Sequence, residues 1–572
     1  MASIAINNSM ILSLAGKEVD CKIKISSPRT FSRTSTKISL SANFLTSALM
    51  DGGWAWSREE ALGLYGTYTM LVYFTPILGG FLADKFLGYR WAVALGALIM
   101  TIGHASMALD TPWGLYIGIG CLVAGNGLFK PNITSIINGI YVNAQGKKDG
   151  AFTIFYMGVN AGAFLGIMLC GYVGETQGWH WGFGLAGIFM FIGMIQFWFA
   201  QGIFGNIGLA PSQEVDLSDA IDSNDDDFKT EEVTPAVQRD RYIVVGILAF
   251  FTVFFWAAFE QAGGSMTIFA ADYTNRVLVG NAANAFRIAN TLLTIVPLII
   301  ITYVLLKLFK ITFKKYAISN IALGFSFVII WAVVGWKIYN NFNTYSYEIS
   351  YPTYKMAQTD ENAIAINPTT TVPDNAIVGE SITVIRSSSE FTKDDSISII
   401  DLDKKGVNFK YLTEEKASEI NTSIKASIVR KKENEIQIPA TWFLILNSLF
   451  IIAFAPLFSK WWESKHNPNA NMKYAIGMAL LALGMACVAL GSASIPPGAK
   501  TASVSMIWLV LVYFFHTMGE LCISPVSLSY VSKLVPPRMI ALMFGLWNLA
   551  VAIGMKSSGK LGENIDQIAN EN

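Results

Sequence analysis

The chain has 572 residues, 53% of them hydrophobic and only 14% charged. Soluble domains carry roughly a quarter charged residues, so this is a polytopic membrane protein. Its 41 Lys and Arg balance 41 Asp and Glu, which argues against nucleic acid as a partner. The five cysteines (Cys21, Cys121, Cys170, Cys487, Cys522) are scattered, four of them in apolar runs. They read as small buried residues and offer no metal site.

In chain order, the first 50 residues are rich in serine and hold only Glu18 and Asp20 as acids. That bias is similar to an organellar transit peptide, but the amphipathic arginine pattern is weak and no long apolar run occurs. Runs of about 20 apolar residues, enough to cross the hydrocarbon core as a helix, then lie near 61–82, 88–108, 113–137, 151–173, 179–201, 241–270, 289–309, 317–338, 439–459, 473–493, 503–527 and 537–556. Twelve spans are predicted. Lys85, Arg90, Lys147, Lys148, Lys307, Lys310, Lys314, Lys315, Lys533 and Arg538 fall on one side if each run crosses once, and the positive-inside rule assigns that side to the cytoplasm. Residues 202–240, with the acidic run 222–227, form a solvated cytoplasmic linker. Residues 343–436 fall outside. There Ser381–Ile385 and Ser396–Ile400 alternate as strands, and Thr413–Val429 reads as helical, so a small, mostly β module is expected.

Three charges lie inside apolar runs: Lys130, Glu260 and Glu520. A charge at a helix centre costs about 2.5–3.5 kcal/mol by the gentlest scales and marks a wet cavity, a partner or a transport pathway. A tyrosine and an asparagine four apart, Tyr156 and Asn160, share one helical face. Gly158, Gly162 and Gly166 repeat at the spacing that permits close helix packing. His104, His180, His466 and His516 read as packing or edge residues, although His516 shares a face with Glu520. No nucleophile elbow, metal cluster or phosphate-binding loop is present, so neither an enzyme nor a cofactor is expected.

The loop Gly80-Phe81-Leu82-Ala83-Asp84-Lys85-Phe86-Leu87-Gly88-Tyr89-Arg90 resembles the signature loop of major facilitator carriers. Phe155-Tyr156-Met157-Gly158-Val159-Asn160-Ala161-Gly162-Ala163 resembles the Phe-Tyr-x-x-Ile-Asn-x-Gly-Ser signature of the proton-dependent oligopeptide transporter family, with Val159 and Ala163 replacing isoleucine and serine. Gly125–Asn132 resembles that family's fourth-helix motif, Phe255–Gln261 its seventh, Gly519–Pro525 its tenth and Trp442–Pro456 its eighth, with Ser448 where proline is common. The resemblance implies an all-α, two-bundle carrier for proton-coupled symport of di- and tripeptides by alternating access. It implies that Lys130 alternates between a carboxylate and the peptide C-terminus. Glu260 and Glu520 would take a proton or the peptide amine, with Lys130 completing the coupling set. Asn160, Asn447 and Ser524 would contact the peptide, and Tyr73, Tyr156, Trp256 and Trp547 would line its pocket. The implied partners are small peptides, protons and the bilayer, in a bacterial inner membrane. A same-fold carrier for another small solute such as nitrate, and a transport-deficient peptide-binding or sensing protein, are the competing readings.

The family's first-helix element, Glu-x-x-Glu-Arg-Phe-x-Tyr-Tyr, has no match; only Asn43–Met50 resembles the end of such a helix. No apolar run follows 556 to serve as a twelfth helix, and 289–309 and 317–338 are extra. The expected organisation is an atypical segment 1–50, an N-terminal bundle 51–201, the linker 202–240, the start of a C-terminal bundle with two extra helices 241–342, the external insert 343–436, the rest of that bundle 437–556, and a polar tail 557–572. Impaired activity is the expectation for such a chain.

Overall fold

The computed structural model describes residues 58–141, 155, 158–210, 235–355, 377–387, 391–392, 396–400, 423–432, 434–496, 502–534 and 540–564. Within them each predicted span contains a helix: α1 (Arg58–Leu82), α2 (Gly88–Met107), α3 (Pro112–Ile140), α4 (158–177), α5 (Trp179–Ala200), α6 (Pro235–Phe259), α7 (Asn281–Thr312), α8 (Ala317–Asn343), α9 (Phe443–Glu463), α10 (Ala470–Ser492), α11 (Ile507–Leu534) and α12 (Ile540–Glu563). Nine stretches of the described residues are long and apolar enough to cross a bilayer. The first of them, Glu59–Met107, joins α1 to α2 without a break. The join is the π turn Ala83–Leu87, where the acid and bases of the loop sit. Arg90 closes this end, donating to the Gly205 and Ile207 carbonyls beyond α5, while its own N–H bonds Gly208.

Glycine decides how closely the helices approach. Lipid tails offer no hydrophobic drive for helix association, so close van der Waals packing must supply it. α1 and α12 cross backbone to backbone: a Cβ on Gly66 would lie 2.6 Å from the Gly559 Cα. Lys556 donates to Thr67 at 2.7 Å beside this crossing. The polar run after 556 is therefore helix as far as Glu563 and not wholly a tail, because Ser558 accepts from Gln261 and Gly559 meets Gly66 of α1. Gly166, expected to support packing, has open space where a Cβ would stand. Replacing Gly66 with leucine is expected to force α1 off α12 and cost at least about 1–3 kcal/mol, the usual range for overpacking. A lower melting temperature of the detergent-solubilised protein would register it.

α6 departs from the single span predicted for 241–270. It ends at Phe259; a 3-10 turn (Glu260–Ala262), Gly263 and Gly264 follow before a short helix, Ser265–Ile268. It also starts at Pro235, earlier than the linker boundary at 240.

α7 and α8 form a hairpin lying against the first half of the chain. α8 packs on α5, and Ser319 donates to the Gln196 carbonyl. Lys337 on α8 is 3% exposed and hydrogen-bonds Thr294 (3.3 Å) and Asn290 (3.5 Å) on α7.

At the end opposite the Ala83–Leu87 turn, β3 (Tyr345–Lys355), β4 (Ile377–Ser387), β5 (Ser396–Ile400) and β6 (Ser423–Lys432) make an antiparallel sheet in the order β4-β3-β6-β5. The strands expected at 381–385 and 396–400 are present. The helix expected over 413–429 is not. Residues 413–422 lie outside those described, and from Ser423 the chain is strand β6, where Ile424, Ala426 and Ile428 alternate with polar residues at period two. Two short ladders tie this end together. Thr274–Asn275 (β1) pairs with Val504–Ser505 (β8), and Val277–Val279 (β2) with Glu435–Gln437 (β7).

Candidate functional site

Lys130 is positioned by the way α3 is locked to α1. Pro131 has no N–H for the Gly127 carbonyl one turn back, and α1 approaches at that gap: a Cβ on Gly79 would stand 2.1 Å from the Gly127 oxygen. Side-chain amides and hydroxyls complete the seam. Asn126 donates to the Val72 carbonyl at 3.0 Å, Thr75 to Val123 at 3.0 Å, and Asn132 to Gly79 at 3.3 Å and Leu128 at 2.7 Å. Between these anchors the Lys130 Nζ lies 4.4 Å from the centre of the Tyr73 ring, a cation–π geometry that holds a charge without neutralising it. No carboxylate of the described residues comes within ion-pair distance of Lys130, so the pairing expected of it is not made in this state.

Glu260 is 1% exposed and sits at the break in α6. The Tyr65 hydroxyl of α1 donates to its carboxylate at 2.7 Å. The break is held from two further sides: Tyr513 of α11 donates to the Ala262 carbonyl at 2.9 Å, and Gln261 donates to Ser558 of α12 at 3.0 Å. Gly263 is required here, since a Cβ would lie 2.2 Å from the Tyr65 hydroxyl. Tyr65 was not among the residues singled out from the sequence. The Gly263-Gly264 pair was the one local signal of a broken helix, and nothing local marks which tyrosine of α1 faces it.

Glu520 is 3% exposed on α11. Asn447 of α9 donates to its Oε2 at 2.9 Å and to Thr517 Oγ1 at 3.0 Å. Tyr513, Thr517, Glu520 and Ser524 follow at spacings of four, three and four residues, which puts them on one helical face. Ser524 is 8% exposed, and its hydroxyl has no hydrogen-bond partner among the described residues. His516 does not join Glu520. It stacks on Phe259 at 5.8 Å, and neither ring nitrogen has a hydrogen-bond partner among the described residues.

Asn160, Trp256 and Trp547 are all buried. Trp256 packs edge-on against Phe255 and Phe259 and lies over Gly554 of α12. Tyr156 lies outside the described residues. The structure therefore joins Lys130 to Tyr73, Glu520 to Asn447 and Glu260 to Tyr65. Tyr68, also overlooked in the sequence, is buried with its hydroxyl unpartnered among the described residues. No group of three His, Cys, Asp or Glu side chains among the described residues converges as a metal set would.

A mostly helical chain with nine apolar stretches long enough to cross a bilayer among the described residues has the architecture of a major facilitator-type membrane carrier, and the solved structures share that fold. A mutant of the peptide transporter POT in complex with alafosfalin superimposes with a TM-score of 0.57 at 21% identity, covering 100% of this chain and 90% of the other. A POT family transporter in complex with 5-aminolevulinic acid gives 0.57 at 18%, covering 99% and 90%. The sequence profile of the POT family matches residues 90–222 and 406–571, more than half of the chain. The chain belongs to the POT family. Among its relatives, the peptide transporter YePEPT of Yersinia enterocolitica subsp. palearctica is 26% identical over 531 residues, 91% of this chain and 83% of that protein. The di-/tripeptide transporter of Lactococcus lactis subsp. cremoris is 24% identical over 503 residues, 86% and 78%.

Proposed function

We propose that this protein is a proton-coupled symporter of di- and tripeptides that works by alternating access in a bacterial cell membrane. The observation that carries the reading is a half-buried lysine held over an aromatic ring with no acidic partner among the described residues, in a fold that also buries two carboxylates, Glu260 taking a bond from Tyr65 and Glu520 one from Asn447. A small peptide is a zwitterion, and its carboxylate suits Lys130. Its amine, or a proton, suits Glu260 or Glu520. Asn160, Asn447 and Ser524 supply uncharged contacts, and Tyr73, Tyr156, Trp256 and Trp547 supply aromatic surface that tolerates many side chains. Membership of the POT family and relatives described as peptide transporters support the substrate class.

Broken helices at a midplane site and rocking of one bundle against the other are the general mechanism of secondary carriers. Proton coupling follows if uptake of a peptide at Lys130 changes which carboxylates carry a proton. The test is uptake of labelled dialanine into proteoliposomes, with and without an inward proton gradient. Accumulation that needs the gradient, competes with other dipeptides and ignores nitrate is the expected result. Binding of dialanine with no movement under either condition would replace the symporter reading with a sensor.

A further inference from the structure

The end of α4 and the start of α9 are 265 residues apart in sequence, and the Glu175 side chain hydrogen-bonds from one to the other. The Glu175 carboxylate, in the last turn of α4, accepts the backbone N–H groups of Ala440 (3.2 Å) and Thr441 (3.0 Å) and the Thr441 hydroxyl (2.5 Å). Ala440 and Thr441 begin the 3-10 turn Ala440–Trp442 that leads into α9. Their N–H groups are among the orphan donors of a helix start, and an anion placed there also meets the positive end of the helix dipole. Helix caps normally come from the residue just before the helix. Here the cap comes from the other half of the protein.

Two further ties cross or flank the same seam from the inserted hairpin. The Trp442 indole donates to Asn290 of α7 at 3.3 Å, and Thr294 of α7 donates to Met168 of α4 at 3.2 Å. α1 and α12, the other pair of helices meeting at this end, are in glycine-to-glycine contact at Gly66 and Gly559. Among the described residues, two inter-helix contacts therefore join the halves at this end, the one carrying the β insert.

On the reading that the protein alternates access, we propose that Glu175 is the latch of the outer gate: its cap on α9 holds the α4–α9 seam shut and must break whenever the carrier opens outward. The latch also fixes the start of the helix that carries Asn447, so the Asn447–Glu520 contact is made on a helix whose position Glu175 sets. Charge-assisted hydrogen bonds are about twice as strong as neutral ones. Their loss shifts a two-state seam by an amount a labelling rate can read.

The experiment places a cysteine at Ala440, which is 3% exposed in the closed seam, in a full-length protein whose five native cysteines are alanine. A bilayer-impermeant maleimide is then applied to proteoliposomes. With Glu175 intact, labelling at position 440 is expected to be slow. Glu175→Ala is expected to accelerate it on the order of tenfold, the change given by about 1.4 kcal/mol. Glu175→Gln is expected to fall between, because its amide oxygen still accepts but carries no charge. A cysteine at the exposed Gln177 should react at one rate in all backgrounds. Equal rates at position 440 in all three backgrounds overturn the latch. So does an equal acceleration at a cysteine placed at Leu115, buried at the same end of α3 away from the seam, which would make Glu175 a static cap. Labelling requires no peptide, so failure of dialanine uptake would defeat the transport reading without touching this result.

Discussion

Lys130→Ala is expected to reduce gradient-driven dialanine uptake by roughly a hundredfold or more. A hydrogen bond to a charged group is worth about 1.5–3 kcal/mol, and each ~1.4 kcal/mol is a factor of ten. The peptide carboxylate would lose both the charge and its donor. The fold should survive, because α3 is locked to α1 by Asn126, Asn132 and Thr75 on either side of Lys130 and not by the lysine itself. Uptake by right-side-out vesicles, scaled to the amount of folded carrier, is the measurement. Retention of the wild-type rate would remove Lys130 from the site. Tyr73→Phe keeps the ring face beneath the ammonium at 4.4 Å and is expected to preserve most of the activity, separating the role of the ring from that of the charge.

Glu520→Ala is the second variant with a large expected effect: proton-driven accumulation should fall to the level seen without a gradient. Asn447 holds Glu520 and Thr517 together, so alanine removes both a titratable group and a link between α9 and α11. Glu520→Gln distinguishes the two roles. The amide oxygen can still accept from Asn447, leaving the link, while the proton site is gone. Loss of accumulation in both variants, with exchange of labelled for unlabelled peptide persisting in the glutamine form, is the expected pattern. Accumulation that survives in Glu520→Gln would exclude this residue from coupling and leave Glu260, held by Tyr65 at 2.7 Å, as the acid to test.

Much of the helical architecture was legible in the chain because a bilayer imposes its own rule. Backbone polar groups have no water to turn to in hydrocarbon, so an apolar run of sufficient length must be helix. The runs at 289–309 and 317–338 could be recognised as helices for that reason alone. The three intramembrane charges were equally plain, since burying a charge in lipid is too costly to be incidental. Alternation at period two likewise marked two strands of the β4-β3-β6-β5 sheet.

What the charges touch was not legible. Lys130 lies on Tyr73 only because Pro131 opens a gap in α3 and Gly79 lets α1 close on it. Glu260 meets Tyr65 only because α6 breaks at Gly263 and the broken end is pinned from α11 and α12. Glu175, which in the sequence lies between the apolar runs 151–173 and 179–201, finds its partners 265 positions later. Hydropathy and spacing act along one helix and report which residues must be buried. Partners across helices depend on rotation, crossing and register, and those are settled by small-residue contacts and polar bonds between segments far apart in the chain, which exist only once the helices have packed.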